Sequence, residues 1–310
     1  MSMDGQMSSS ESTKVSIVIP CYNYGRYVVE AIDSVLGQTW KNIDLIVIND
    51  GSKDDSDVVI RGHHQKYGGY RYISRENRGL VPTLKQGLEL AEGDYFSELS
   101  ADDYLMPDSV ERRLQFLRDH PECVAVFADE FIVEGDVSTG KRVMRDKHRR
   151  MFSCKDQIPA ILDGAFPLFP TGLIHRKTLL DAGGFDEDLK HYEDLDVPVR
   201  LCHAGNLGFL DEPVMYRREH GSNVSSVSSH IRTEKVVFYY KMHQHPNMQP
   251  YRRQLENKLR RSLLSLGRTI VKKRSASERE AEWFRLSRMF MWRDMRLMWY
   301  VMQAGRYIKK

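Results

Sequence analysis

Cysteine is scarce in this chain: 310 residues hold four, Cys21, Cys123, Cys154 and Cys202, and no two form a CxxC pair. That spacing excludes a thiolate zinc site and a disulfide framework, and reads as reduced thiols. Long apolar runs are missing too, and none approaches the roughly 18 residues that a bilayer-spanning helix needs. The opening segment MSMDGQMSSSESTK is polar and serine-rich, without the apolar stretch of a secretory signal. We read residues 1–13 as a disordered leader and expect a cytoplasmic protein. The first apolar strand is followed by PCYNYGR rather than by GxGxxG, and neither GxxxxGKS nor GxxxxGKT occurs anywhere. Those absences exclude a dinucleotide-binding dehydrogenase and a P-loop NTPase, whose phosphates need a glycine-lined backbone.

What is present suits a packed chain. A hydrophobic content of 41% and an aromatic content of 10% allow one large α/β domain, or one domain with an appendage. The formal net charge of +3 conceals an asymmetry. Residues 251–310 carry 17 basic and 5 acidic side chains, a net of +12, which leaves a net of −9 for the first 250. An acidic body with a basic tail predicts that the tail meets something anionic.

The first half alternates apolar strand-length runs with helical patterns. Strands are expected at Val15–Pro20, Ile43–Asn49, Tyr70–Ser74 and Asp94–Leu99, and helices at Arg26–Gln38, Asp54–Tyr67 and Leu80–Ala91. Runs that are apolar throughout, separated by helices, indicate parallel βαβ units with both sheet faces covered. The second half is less regular. Strands are expected at Glu122–Val133, Phe169–His175 and Asn206–Arg217, and a helix at Tyr192–His203. The basic stretch Glu134–Arg150 reads as a mobile loop, either a solvated charge run or a lid for phosphates. From about Ser225 the pattern is helical to the end.

Ligands of an open parallel sheet bind beyond the carboxyl ends of its strands. Three loops meet there: Cys21–Gly25, Asp50–Asp55 and Ala101–Asp103. They are rich in carboxylates. An anionic ligand would be repelled by Asp50, Asp102 and Asp103 unless a divalent cation lies between them, and Mg²⁺ or Mn²⁺ prefers such oxygen ligands. Ordinary turn chemistry accounts for Asp50-Gly51-Ser52 and for Asp102-Asp103 equally well when each is taken alone.

Taken in order, VSIVIPCYNYGRYVVEAIDSVLGQTWKNIDLIVINDGSKDDS, ENRGL, GDYFSELSADD and HYEDLDVPVRL resemble the family 2 nucleotide-sugar glycosyltransferases, across about Val15 to Ser225. The resemblance implies a GT-A fold: an α/β domain whose mostly parallel, Rossmann-like central sheet is flanked by helices. It would span residues 14–224, with a nucleotide-binding half to about 103 and an acceptor half after it. A basic, amphipathic helical region would follow over 225–310.

Position by position, the resemblance makes Pro20, Tyr22 and Asn23 a nucleotide-contacting loop. Asp50 becomes the partner of a uracil-type base, with Arg75, Asn77 and Gly79 at the mouth of the donor pocket. Ala101 and Asp102 carry what remains of a DXD motif, with Asp102 as ligand to Mn²⁺ or Mg²⁺ beside the donor diphosphate. Glu193-Asp194 matches an ED motif whose aspartate is the catalytic base. His220, in a YRxHxxN-like segment, would reach the metal or the diphosphate, and Asp103 and Gly184 would approach donor sugar or acceptor. Arg200 reads as a structural ion-pair partner. Two positions depart from the pattern, because Ser100 replaces the first DXD aspartate and Lys85 stands where asparagine is common. The absence of QxxRW argues against a processive synthase.

The expected reaction is inverting transfer from a nucleotide-sugar, most simply a UDP-sugar, to a hydroxyl on a cell-surface glycan of O-antigen or capsule type. A related nucleotidyltransferase and a non-catalytic scaffold are the competing readings. In the tail, Leu255, Leu259, Leu263, Leu266 and Ile270 line one helix face. A second helix over about 278–303 holds three of the four tryptophans, with arginines opposite its apolar face. Such helices suit an anionic membrane surface, which would make the protein peripheral on the inner face of the membrane near a lipid-linked acceptor. Packing on the catalytic domain or on a second subunit, as a homo-oligomer, is the other reading. Nucleic acid is not expected as a partner, since no binding module accompanies the charge.

Overall fold

The computed structural model describes residues 13–135, 137–165, 167–220 and 229–273. The chain divides into two units, residues 1–223 and 224–310. In the first, β1 (Val15–Cys21), α1 (Val28–Leu36), β2 (Ile43–Asp50), α2 (Ser56–Tyr67), β3 (Arg71–Arg75), α3 (Leu80–Leu90) and β4 (Tyr95–Glu98) alternate. The strand runs are apolar on both faces because helices cover both: Ile17, Val18 and Ile19 of β1 are all fully buried. β1 lies between β2 and β4, and β2 pairs with β3, all in parallel.

The second half of this unit runs β5 (Tyr104–Leu105), α4 (Ser109–Asp119), β6 (Cys123–Glu134), β7 (Val137–Arg142), α5 (Asp146–Phe152) and α6 (Ile158–Leu162). A 3₁₀ turn (Phe169–Thr171), β8 (Leu173–His175), α7 (Arg176–Asp181), α8 (Glu193–Leu201) and β9 (Asn206–Glu219) follow. These strands extend the same sheet in the order β3-β2-β1-β4-β8-β6-β9-β5, with β7 alongside β6. Here the pairing is mixed: β8 is antiparallel to β4 and β6, β9 is parallel to β6, and β5 is antiparallel to β9. The last pairing places Asp102 and Asp103, just before β5, against the end of β9.

A fully buried arginine fixes β4 against the segment before β8. Arg113 Nη1 donates to Ser97 Oγ, Thr171 O and Gly172 O, each at 3.1 Å. Burial, with Arg112 adding to it, pushes this guanidinium down to about 9. α4 itself is absent from the sequence reading, although Val110, Leu114 and Leu117 recur at helical spacing and are buried.

Two expectations change. Glu134–Arg150 is not a loose loop: β7 and α5 occupy most of it. Its arginines are spent on structure. Buried Asp129 accepts from Arg142 Nε at 2.7 Å and Arg149 Nη2 at 2.8 Å, and Asp211 pairs with both arginines. Asp129 also caps the backbone N–H groups of Val143 and Met144. A carboxylate with no exposure needs that many donors to offset its desolvation. Arg142 and Arg149 of the basic run therefore serve as hairpin anchors.

In the second unit, α9 (Ser229–Gln244) leads through a turn to α10 (Arg252–Lys273), and α10 packs on α9. Leu255, Leu259, Leu263 and Leu266 are all at most 4% exposed, so that leucine face is core and not a membrane-facing stripe. The side chain of Ile270 and the expected helix over 278–303 lie outside the described residues. Among the described residues, no helix is long and apolar enough to cross a membrane.

Replacing Asp129 with asparagine should destabilise the first unit by about 1–3 kcal/mol, because a fully buried hydrogen-bond hub loses its charge and leaves Arg142 and Arg149 with Asp211 alone. The check is urea unfolding, with hydrogen exchange reporting lost protection over residues 137–150.

Candidate active site

Three strand ends and one helix start build the site. β1 ends in Cys21, and the next loop turns at Asn23, which adopts φ of +62°. Asparagine tolerates this left-handed conformation because its short amide bonds locally. The Asn23 Oδ1 accepts from Lys53 N at 2.7 Å, and its own N–H donates to Ser52 Oγ at 3.0 Å. Tyr24 N donates to Ser56 Oγ and Gly25 N to Asp54 Oδ2. The loops after β1 and β2 are thus tied together. Pro20 is half-buried at the end of β1, whereas Tyr22 is exposed at the rim.

Asp50, the last residue of β2, is 3% exposed. Its Oδ1 accepts from Arg78 N at 3.0 Å and its Oδ2 from Gly79 N at 2.7 Å. Arg75 Nη2 lies 3.0 Å from Oδ1, as expected from the Asp50–Arg75 register of β2 and β3. This aspartate therefore shapes the loop that carries exposed Asn77 and Gly79, at φ of +96°. Oδ1 thus meets two donors, while Oδ2, with one, keeps a second lone pair. Arg75 also donates to Thr83 Oγ1 at 2.7 Å, while its Nε and Nη1 are buried without a partner. Gly51 is confined by Asn77: a Cβ would stand 2.5 Å from the Asn77 nitrogen, and φ is +70°.

After β4 the chain enters Ala101-Asp102-Asp103, all buried. The structure brings Asp102 and His220 together, with Nε2 and Oδ2 3.0 Å apart. The imidazole stacks on Tyr27 with ring centroids 5.4 Å apart and planes at 12°. Arg218 sits between the Tyr27 and Tyr104 rings, 5.0 and 4.8 Å from their centroids, donates to Asp102 O at 2.8 Å and pairs with Glu30. Asp103 turns into the sheet instead. Its Oδ1 accepts from Arg218 N at 2.9 Å, and burial, helped by the Asp102 charge, holds its carboxyl well above the usual range. It ties the turn before β5 to the end of β9.

Among the described residues, no three His, Cys, Asp or Glu side chains converge as a complete metal cage. Asp102 and His220 offer one oxygen and one nitrogen. That set fits Mg²⁺ or Mn²⁺, which commonly take one or two protein ligands and complete their shell with substrate phosphates and water.

α8 supplies the remaining acid. Glu193 opens it and Asp194 follows within the first turn. Burial pushes the Asp194 carboxyl up to about 6, against the pull of backbone N–H groups at the helix start. The preceding turn is braced from below. Arg200 pairs with Asp196 at 3.0 Å and donates to the carbonyls of Ala182 and Gly184, confirming its structural role. Gly184, at φ of +62°, donates to Leu179 O and ends α7. Lys85 pairs with Glu187 at 2.6 Å.

One residue escaped the sequence reading. Glu98, at the end of β4, is 7% exposed, and its Oε2 is buried with no hydrogen-bond partner. Burial, with the Asp194 charge adding to it, pushes its carboxyl up to about 8. A charged residue inside an otherwise apolar strand, Tyr95–Leu99, was the available signal.

This geometry has known counterparts. The family model for "Glycosyl transferase family 2" matches residues 16–177. An uncharacterized glycosyltransferase of Rickettsia typhi is 32% identical over 228 residues, 70% of this chain and 67% of its own. The chondroitin synthase of Escherichia coli is 26% identical over 226 residues, 72% of this chain but 32% of the larger relative. Among solved structures, S. aureus TarS 1-349 in complex with UDP-GlcNAc superposes with a TM-score of 0.63 at 16% identity, covering 82% of this chain and 80% of TarS. Mannosyltransferase PcManGT from Pyrobaculum calidifontis, in complex with GDP-Man and Mn²⁺, gives 0.56 at 16% identity, covering 96% and 87%. The fold is GT-A. With the family pattern matched over more than half its length, the chain belongs to glycosyl transferase family 2 and is a glycosyltransferase.

Proposed function

We propose that this glycosyltransferase moves a sugar, with inversion, from a UDP-sugar to a hydroxyl of a cell-surface glycan. The observation that carries the reading is the meeting of two kinds of group at the end of β4. The Asp102–His220 pair follows that end by sequence and contact, and Glu98 there feels the charge of Asp194. Asp50 and Arg75 pair next door, beside a loop already organised by backbone donors.

The chain's own residues divide the work. Asp194, ionised above about pH 6, takes the proton of the attacking acceptor hydroxyl as the new C–O bond forms. Asp102 and His220 would hold Mn²⁺ or Mg²⁺, which, when bound, supplies charge neutralisation for the departing diphosphate. Arg218 and Tyr27 keep that pair in place, and Asn23, Asp50, Asn77 and Gly79 frame the nucleotide. The departing group is a nucleoside diphosphate, so pyrophosphate release would instead indicate the nucleotidyltransferase reading.

The glycan class rests on relatives such as the chondroitin synthase and on the absence of QxxRW. For the basic tail, the net +12 over residues 251–310 supports an acceptor displayed on an anionic, lipid-linked surface at the inner membrane face.

Asp194→Asn should lower turnover by about 10²–10⁴-fold while leaving donor binding intact. Retained turnover removes the assigned role. For wild type, kcat/KM should rise through about pH 6 and fall about tenfold for each unit below it, because only the ionised carboxylate accepts a proton. Thermal melts with UDP and MnCl₂ should show a metal-dependent stabilisation that Asp102→Ala abolishes and His220→Ala weakens. Equal stabilisation of all three proteins would place the metal elsewhere.

A further inference from the structure

Glu98 is a buried acid for which the mechanism above has no use. β4 pairs with β8 only through Tyr95 and Phe96, so its last two residues run past β8. Successive strand residues face opposite sides. Ser97 points toward α4, where Arg113 binds its hydroxyl. Phe96 points the other way and packs on Phe185, 5.8 Å between centroids, in the turn that precedes α8. Glu98 shares the face of Phe96. Its carboxyl thus lies on the side of the sheet where α8 begins, and its Oε2 is sealed from water with nothing to bond.

Leaving a buried polar atom unpaired typically costs about 1–3 kcal/mol, so such an atom beside a catalytic group is one whose partner arrives with the ligand. Several other charges on the elements around this face have partners of their own. Lys85 pairs with Glu187, Asp196 with Arg200, and Asp186 accepts from Asp188 N. Asp194 is the one charge that bears on Glu98 among the described residues. Two carboxyls that feel each other's charge, both raised by burial, settle into different protonation states: one ionised as a base and one neutral as a donor.

We propose that Glu98 is a second functional carboxyl of this site, whose neutral form donates a hydrogen bond to a hydroxyl of the donor sugar. This inference rests on the nucleotide-sugar reading above and adds to it the contact that distinguishes sugar nucleotide from bare nucleotide. Its pH dependence follows from burial. Glu98 keeps its proton below about pH 8 and loses both the donor and its neutrality above it, beside an already ionised Asp194.

The test compares thermal stabilisation by UDP with that by UDP-glucose, UDP-galactose and UDP-N-acetylglucosamine, all with MnCl₂, in wild type, Glu98→Gln and Glu98→Leu. The amide keeps a donor and cannot ionise, while leucine keeps bulk without a donor. Wild type should bind one UDP-sugar at least tenfold more tightly than UDP. Glu98→Gln should retain that increment at pH 7 and, unlike wild type, at pH 9. Glu98→Leu should lose it while its UDP affinity is unchanged, and the preserved UDP response shows that the variant is folded. An increment intact in Glu98→Leu, or absent from wild type, overturns the inference while leaving the nucleotide site standing. No response to UDP in wild type overturns the nucleotide-sugar reading itself, and this inference with it.

Discussion

The structure is organised around keeping negative charge out of water at one edge of a sheet. Asp50, Glu98, Asp102, Asp103 and Glu130 are each at most 8% exposed, and they gather where β2, β4 and β9 end. Desolvated like charges are costly, and the protein resolves each by a different route. Asp50 receives two backbone N–H groups and an arginine. Glu130 pairs with Arg217 at 3.2 Å, although burial still pushes it up to about 7. Asp103 takes a backbone N–H, Asp102 a histidine, and Glu98 the proton itself. What looks like an acidic patch is a set of differently neutralised acids, and their differences are what a reaction can use.

Much of the first half was legible because its signals are local. VSIVIP and IDLIVIN are apolar on both faces, which only a covered parallel strand requires, and β1 and β2 fall within a residue or two of those runs. Arg200 was readable as an ion-pair partner from its i+4 spacing to Asp196. The second half resisted because its decisive contacts are distant in sequence. Arg142 and Arg149 looked like solvated charge until Asp129 and Asp211, the latter more than 60 residues on, were brought against them. The leucines of α10 fit a membrane stripe equally well until α9 covered them. Periodicity reports which face is apolar but not what lies on it.

The site divides along the same line. The motif positions could be named from order and spacing, yet their roles depend on partners the motifs do not contain. Asp102 and Asp103 are adjacent and alike in sequence. In the turn before β5, one faces His220 and the other accepts from the backbone N–H of Arg218. Ser100 replaces an expected carboxylate without emptying the region of acid, because Glu98 stands two residues earlier. The odd glutamate in YFSELS was visible, but its burial and the nearby charge of Asp194 depend on contacts distant in sequence.

The cross-ties between the first two loops have a consequence for kinetics. Asn23, Ser52, Lys53, Asp54 and Ser56 hold one another before any nucleotide arrives. For the nucleotide of the proposed reaction, capture would then need no slow rearrangement at that edge. Encounter frequency, and not gating, would set how quickly a donor settles against these loops.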